Sequence, residues 1–294
     1  MSTKVVSTAS EDRDFAPPPR RVKGPAVFWK ELRSPVFGRR KIAVLITIGV
    51  GLILLFVTYG FFADENALDD EWVHIFYTVI FLGLGILFTI ILPATCITSE
   101  KESRSWPLLL ATTLSDWQIL LGKFAGVLRR CAPVWAVLFG HIMLFTIAGV
   151  IHPVATVQMG ILVAGIVVFL SGTGLYFSVR FKRTTTAVMM NFGVAALIWG
   201  LLPFAITLIG AIRDFHDFRA FCELYWDTNP FVHAVVIIDA TARGGGLRRY
   251  DWLEVGARAV SEATIWMLFC MLGHMLLGLL FAWRAKCRFR RNVF

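Results

Sequence analysis

Five runs of the sequence, each longer than 20 residues, contain no aspartate, glutamate, lysine or arginine. A helix of about 20 apolar residues is long enough to cross the hydrocarbon core of a bilayer. Each run therefore predicts at least one membrane-spanning helix, and this constrains the fold more than any other feature of the chain. The runs are Ile42–Ala63, His74–Ser99, Cys131–Val179, Ala187–Ile212 and Ala263–Trp283.

The run from Cys131 to Val179 is long enough for two spans, and we place the break at Ile151-His152-Pro153, because proline ends one helix and begins the next. Pro93 predicts a kink in the second span, and Pro203 an interruption in the fifth. The composition agrees: 57% of residues are hydrophobic, 17% are charged and the mean hydropathy is +0.68. A soluble domain would carry more charge. The prediction is an all-α polytopic membrane protein with six transmembrane helices.

The lysines and arginines lie mostly on one side of the predicted spans. All but six of the 29 fall there, whereas the opposite loop Asp64–Glu71 has five acidic residues and no basic one. Lys and Arg are enriched in cytoplasmic loops. Six spans place both termini on the same side, so we predict a plasma-membrane protein with both termini cytoplasmic. The basic side holds Arg20–Lys41, Thr98–Lys123, Arg180–Arg183 and Arg284–Arg291.

The net charge of +9 does not predict a nucleic-acid partner, because the basic residues flank apolar runs instead of lining one face. We divide the chain into residues 1–24, a polar tail expected to be disordered, and residues 25–294, the six-span domain. Membrane lipid is the surrounding medium that this domain requires.

Two segments outside the spans are apolar enough to lie at the membrane. Ala26–Phe37 combines Phe28, Trp29 and Leu32 with charged neighbours, which favours a short interfacial helix over a polar lead-in. The outer loop 213–262 contains Asn229–Ala242, too short to span and too apolar for an ordinary loop, so we predict a re-entrant or interfacial segment. Asp239 at its end is either a solvated carboxylate or a substrate or gating contact.

The stretch Thr98–Lys123 is the longest polar break on the basic side. Glu100–Arg104 is rich in helix formers and can prolong the second span. Ser105 can cap a new turn, and Ser115 with Gln118 forms a capping box that predicts the next helix start. Between them, Pro107–Leu114 is predicted as a short apolar helix that needs a partner surface or the membrane interface to cover it.

The sequence contains no motif for chemistry of its own. It has no G-x-x-x-x-G-K-[ST] phosphate loop and no H-E-x-x-H or H-x-x-E-H zinc motif. We interpret His141 and His274, which lie within spans, as hydrogen-bonded packing residues and not as metal ligands. The spans also lack the charged groups that ion-coupled carriers use. We predict no enzymatic activity, and active transport would need energy from a partner.

Several segments together resemble one family. E-K-E at Glu100–Glu102, P-L-L-L-A-T-T-L-S at Pro107–Ser115 and Q-I-L-L-G-K at Gln118–Lys123 are similar to the second-type (ABC type 2) permeases of ATP-binding-cassette exporters. F-W-K-E-L-R at Phe28–Arg33 resembles their interfacial elbow helix, and N-P-F at Asn229–Phe231 a recurrent element of their last outer loop. The chain departs from the family after E-K-E, where R-S-W-P replaces a frequent Gly-Thr pair and acidic residue.

The resemblance implies that the short helix between spans two and three is a coupling helix, which docks in a groove of a separate ATPase subunit. Two permease chains, identical or different, and two ATPase chains would form the working unit. The permease itself would hold no cofactor, because ATP and magnesium bind to the partner. The residues assigned to docking by this resemblance are Glu100, Glu102, Arg104, Trp106, Pro107, Leu109, Leu110 and Thr113. Of these, Glu100, Glu102 and Arg104 are expected to supply charges at the rim.

Two other classes of protein stay open at this stage. One is a non-transporting polytopic scaffold or an intramembrane enzyme, although an enzyme would need converging polar residues at one depth. The other is a passive channel, which would show flux without ATP. The uncharged, aromatic-rich spans fit a lipid-like or amphipathic cargo better than a bare ion, but lipid-facing surfaces require the same residues.

Overall fold

The computed structural model describes residues 26–33, 41–112, 114–213, 225–242 and 257–290. Within these ranges the chain is helical and has no strand. The predicted disordered tail 1–24 lies outside the described residues, and so do residues 214–224 and 243–256 of the outer loop 213–262. The helices are α1 Ala26–Arg33, α2 Lys41–Asp64, α3 Glu71–Thr95, α4 Thr98–Glu102, α5 Trp106–Leu110, α6 Asp116–Ala148, α7 Val154–Arg180, α8 Thr184–Ala196, α9 Leu202–Arg213, α10 Pro230–Ala242 and α11 Ala257–Arg288.

Five helical segments are long and apolar enough to cross a membrane: Glu71–Glu102, Asp116–Ala148, Val154–Arg180, Thr184–Gly210 and Thr264–Arg288. The sequence-based prediction of an all-α, multi-pass membrane protein is therefore confirmed at this level. The preceding helix α2, which is 24 residues long, is also strongly apolar. Most of its large side chains are exposed, as expected for a surface that faces lipid or another subunit.

Local signals explain where α6 begins and ends. The predicted capping box is present: the Gln118 N–H donates to Ser115 Oγ at 3.3 Å, and the Ser115 N–H donates to Gln118 Oε1 at 3.0 Å. The helix ends at Gly149, whose φ of 83° is the left-handed conformation that glycine adopts without strain. Helix α7 begins after Pro153, so the break predicted around His152 is confirmed.

The interruption predicted at Pro203 is a π-helical segment, Leu197–Leu201, that joins α8 to α9 without ending the helix. Pro203 has no N–H, so the backbone carbonyls one turn before it need other donors. Tyr225 Oη donates to the Ile198 carbonyl at 3.3 Å, and Asn229 Nδ2 donates to the Trp199 carbonyl at 2.7 Å. The residues that precede α10 thus satisfy the irregular turn.

Helix α7 lies at the centre of the bundle and packs against α3, α8, α10 and α11. Its backbone touches α11, since a Cβ on Gly172 would lie 2.0 Å from the Gly278 carbonyl oxygen. A polar contact adds to the packing: Thr173 Oγ1 donates to Asn191 Oδ1 at 2.7 Å, and Asn191 Nδ2 donates to the Ile90 carbonyl at 2.8 Å, which links α7, α8 and α3.

Helix α10, predicted as the re-entrant or interfacial segment, is 13 residues long and packs against α3 and α7. Its inner face includes the buried residues His233, Ala234 and Ile238. The His152 N–H donates to the Thr241 carbonyl at 3.0 Å, which holds α10 at the break between α6 and α7. Asp239 is half-buried near the end of this helix.

Candidate functional site

Residues 98–112, which contain α4 and α5, lie at one end of the bundle together with α1, the 181–183 turn and the last turn of α11. We call this the basic end. Ser178 Oγ accepts from the N–H groups of Ile97 (2.8 Å) and Thr98 (3.0 Å), which fixes the start of α4 on α7. Lys101 Nζ donates to the carbonyls of Ser178 (2.9 Å) and Phe181 (3.0 Å). A lysine in this position satisfies the free carbonyls at the C-terminus of α7.

Glu102 connects α4 to α8. Its carboxylate is exposed and accepts a hydrogen bond from the Thr184 N–H at 2.7 Å. Thr184 is the first residue of α8, where a negative charge interacts favourably with the helix dipole. Glu102 therefore has a role within the chain in addition to the rim charge that the sequence predicted.

Arg104 forms the reversal between α4 and α5. Its φ of 58° is left-handed, its N–H donates to the Lys101 carbonyl at 3.2 Å, and the Ser105 N–H donates to the Glu100 carbonyl at 3.0 Å. This pair of bonds is the Schellman motif, in which glycine is usual. The prediction that Ser105 caps α5 with its side chain is wrong: its backbone is right-handed helical and its Oγ contacts the Glu100 carbonyl at 3.3 Å. A capping side chain needs an extended backbone to reach the next turn.

Helix α5 is Trp106–Leu110, which is shorter than the predicted helix Pro107–Leu114. The chain covers much of its apolar face. Trp106 is only 2% exposed and packs edge-on against Phe289, with ring centroids 5.0 Å apart. Leu109 and Leu110 are half-buried against the hydrophobic core. The exposed residues are Pro107, Ala111 and Thr112, whereas Thr113 lies outside the described residues.

A buried charge cluster joins α1, α4 and α6. Lys123 Nζ lies 2.6 Å from Glu31 Oε1 and 2.5 Å from Glu100 Oε1, and Arg130 Nη2 lies 3.1 Å from Glu31 Oε2. Lys123 and Glu31 are 6% and 7% exposed. The sequence analysis missed this cluster and assigned Glu100 to the rim, but its charge is engaged within the chain. The sequence does contain a pattern that indicates a shared anionic partner: Lys123 and Arg130 are seven residues apart and therefore lie on one helix face.

Helix α1 lies directly against α6. A Cβ on Gly126 would be 2.9 Å from Glu31 Cβ, so the two helices approach as closely as glycine allows. Val27 is buried, whereas Trp29 is 40% exposed with the Arg33 guanidinium 5.1 Å from its ring centroid. The side chains of Phe28 and Leu32, predicted as the other apolar contacts of the interfacial helix, lie outside the described part of the structure.

The end of α11 is tied to the same segment. Phe289 is buried beneath Trp106, and Arg290 Nε donates to Asp116 Oδ1 at 2.7 Å. These contacts join residues more than 170 positions apart, and no local pattern predicts them. Together with Lys101, Glu102 and the charge cluster, they attach the segment to α6, α7, α8 and α11.

The two histidines within the spans are buried and hydrogen-bonded, as predicted. His141 Nδ1 lies 2.5 Å from Tyr59 Oη. His274 Nε2 accepts from Trp199 Nε1 at 3.1 Å, so its Nδ1–H donates to the Cys270 carbonyl at 2.8 Å. Among the described residues, no group of three or more His, Cys, Asp or Glu side chains is placed to hold a metal ion.

At the opposite end of the bundle, burial of the imidazole lowers the pKa of His152, in the break between α6 and α7. Its Nδ1 accepts a hydrogen bond from the Val154 N–H at 3.2 Å, which caps the first turn of α7. The neutral form of this histidine is therefore the one that suits the fold.

Comparison of the sequence with models of known protein families found no match. Comparison with curated protein sequences found none either.

Proposed function

We propose that this chain is the membrane-spanning permease subunit of an ATP-driven exporter of the second-type ATP-binding-cassette class. Its six spans are α2, α3, α6, α7, the continuous α8–α9 helix and α11. The chain lies in the plasma membrane, with both termini in the cytoplasm. α1 is an interfacial elbow helix. A second permease chain, identical or different, completes the pathway, and the chain performs no chemistry itself.

One observation carries the proposal. The segment 98–112 exposes a short surface that includes Pro107, Ala111 and Thr112. Four other residues of the segment, Glu100, Lys101, Glu102 and Trp106, hold it to α6, α7, α8 and the end of α11. A load applied to the exposed surface therefore reaches α6, α7, α8 and α11 directly. Packed elements respond to such loads by rigid-body shifts between discrete arrangements. A segment that receives the movement of an external ATPase has to transmit it to the spans in this way.

The uncharged interior of the spans supports an external energy source. The five uncharged runs offer no charged pair through which an ion gradient could drive transport. An ATPase subunit with bound ATP and magnesium would supply the free energy. Glu102 and Arg104, both exposed, are positioned to meet charges on that subunit at the edge of the contact.

The test uses an exposed position, because a charge at half-buried Leu109 or Leu110 would also disturb the permease. Ala111→Arg places a long charged side chain on the proposed docking surface. Ala148→Arg, at the exposed far end of α6, is the matched control. The tagged permease is purified from its own membranes, and co-purifying ATPases that carry a phosphate loop are identified by mass spectrometry and assayed for ATP hydrolysis.

We expect the unmodified chain and Ala148→Arg to retain one such ATPase and Ala111→Arg to lose it, with equal membrane insertion of all three. Equal retention by Ala111→Arg would refute the docking role. If the unmodified chain retains no ATPase in any membrane, the polytopic-scaffold interpretation replaces the exporter.

A further inference from the structure

Near the basic end, α6 and α11 both pack on α7 and leave an apolar crevice of about 220 Å³ between them. Apart from the indole N–H of Trp117, every side chain that lines it is hydrocarbon. The crevice opens outward, since Leu121 and Leu279 at its rim are 55% and 59% exposed. Within the membrane a groove of this kind is not filled by water, because water would find no polar partners there.

The close approach of Gly172 and Gly278 sets the floor of the crevice. Eight residues separate Gly278 from Lys286 along α11, which is about 12 Å at the rise of an α-helix. Ala282 lines the crevice one turn before Lys286. The crevice thus runs from the level of Lys286 toward the middle of the bundle, in the direction that an acyl chain takes from its headgroup.

Positive charge stands at the mouth of this crevice. Lys286 Nζ lies 5.4 Å from the ring centroid of Trp117. Within the described ranges no carboxylate is paired with Lys286 or with the nearby exposed Arg284, whereas Asp116 is already paired with Arg290 at 2.7 Å. Tryptophan and lysine together are typical of the headgroup level of a bilayer. Basic pockets between transmembrane helices on the cytoplasmic side bind acidic headgroups.

We propose that the crevice binds one acyl chain of an anionic glycerophospholipid whose phosphate is held by Lys286. A zwitterionic lipid fits the same hydrocarbon walls, but its own ammonium group competes with Lys286 for the phosphate. The preference for an anionic lipid therefore depends on the lysine, and the affinity for the chain depends on the walls. Because Phe289 follows on the same helix end and contacts Trp106, the bound lipid also steadies the segment 98–112.

The experiment measures quenching of tryptophan fluorescence in detergent micelles by phospholipids with brominated acyl chains, either phosphatidylglycerol or phosphatidylcholine. The chain has ten tryptophans, so the signal of Trp117 is obtained as the difference between the unmodified protein and Trp117→Phe. We expect brominated phosphatidylglycerol to quench Trp117 at several-fold lower concentration than phosphatidylcholine.

Two variants and one control separate charge from shape. Lys286→Gln should reduce the phosphatidylglycerol preference to near equality, and Ala282→Phe, which fills the crevice, should weaken quenching by both lipids. Lys182→Gln removes an exposed lysine that does not line the crevice and should behave as the unmodified protein. If Trp117→Phe or Ala282→Phe fails to fold, native mass spectrometry counts the phosphatidylglycerol bound to Lys286→Gln and Lys182→Gln. Equal preference for both lipids in the unmodified protein, or equal loss in both lysine variants, would overturn the proposal.

Discussion

Replacement of Lys123 by methionine tests whether the charge cluster holds the basic end together. Methionine is unbranched and only one atom shorter than lysine, and it removes the charge, so it leaves Glu31 and Glu100 without the ammonium group that lies between them. Glu31 retains Arg130 at 3.1 Å, but the Glu100 carboxylate, 16% accessible, loses its partner. Removal of one partner from a buried ion pair costs about 3–5 kcal/mol. Since Arg130 remains and Glu100 is partly hydrated, we expect the lower end, about 3 kcal/mol.

The assay is unfolding in mixed micelles, followed by tryptophan fluorescence, with Lys123→Met, Glu100→Gln and the double variant. Neutralising Glu100 removes the carboxylate that Lys123→Met leaves unpaired. The double variant should therefore be less destabilised than the sum of the two single variants, by about 1–3 kcal/mol. Arg290→Gln is the control, because its pair with Asp116 is exposed and contributes no more than about 1 kcal/mol. A loss below about 0.5 kcal/mol for Lys123→Met would contradict the prediction, and so would a double variant whose loss equals the sum of the two single losses. Either result would show that the cluster is hydrated and screened and does not hold the basic end together.

Three further predictions concern other contacts. Asn191→Leu, which breaks the polar link between α3, α7 and α8, should lower the free energy of unfolding by about 1 kcal/mol in the same assay, within the range for interhelical hydrogen bonds in membranes; an unchanged value would remove that role. Arg104→Gly should leave stability within about 0.5 kcal/mol and Arg104→Val should lower it by about 1–2 kcal/mol, because a branched side chain disfavours the left-handed backbone; equal effects would contradict the observed φ. The pKa of His152 is lower in the fold than in the unfolded chain, so the unfolded state binds more protons below about pH 6.5. The free energy of unfolding should therefore fall as the pH decreases below that value, and it should fall less in His152→Asn. Identical pH profiles for the two proteins would refute this prediction.

The structure changes which substitutions report on docking. From the sequence, every apolar residue of Pro107–Leu114 was equally available to a partner. In the fold Trp106 is buried, and Leu109 and Leu110 are half-buried against the chain's own core. Loss of ATPase capture after a change at these leucines would therefore mix two effects, whereas a change at Ala111 isolates the exposed surface.

The helical architecture was predictable because its causes are local. In lipid, the backbone of an uncharged apolar run has to form its hydrogen bonds within the run, which favours a helix. The uncharged runs therefore predicted the positions of α3, α6, α7, α8–α9 and α11. The start of α6 at Ser115 and the break around His152 were predicted from a capping box and a proline, both of which act within one turn. The shortening of α5 was not predicted, because where a short helix ends depends on the surface beneath it.

The sequence alone therefore determined the class of fold, the positions of the long helices and the concentration of positive charge at one end, since these follow from residues close together in the chain. Only the tertiary structure decided that Lys123 pairs with Glu31 and Glu100, that Trp106 packs on Phe289 and that Gly172 meets Gly278. The physical reason is that each of these contacts depends on how whole helices pack, and many residues could have filled the same place. The partner of a charged residue or a glycine is fixed only when the packed helices exclude lipid and water around it.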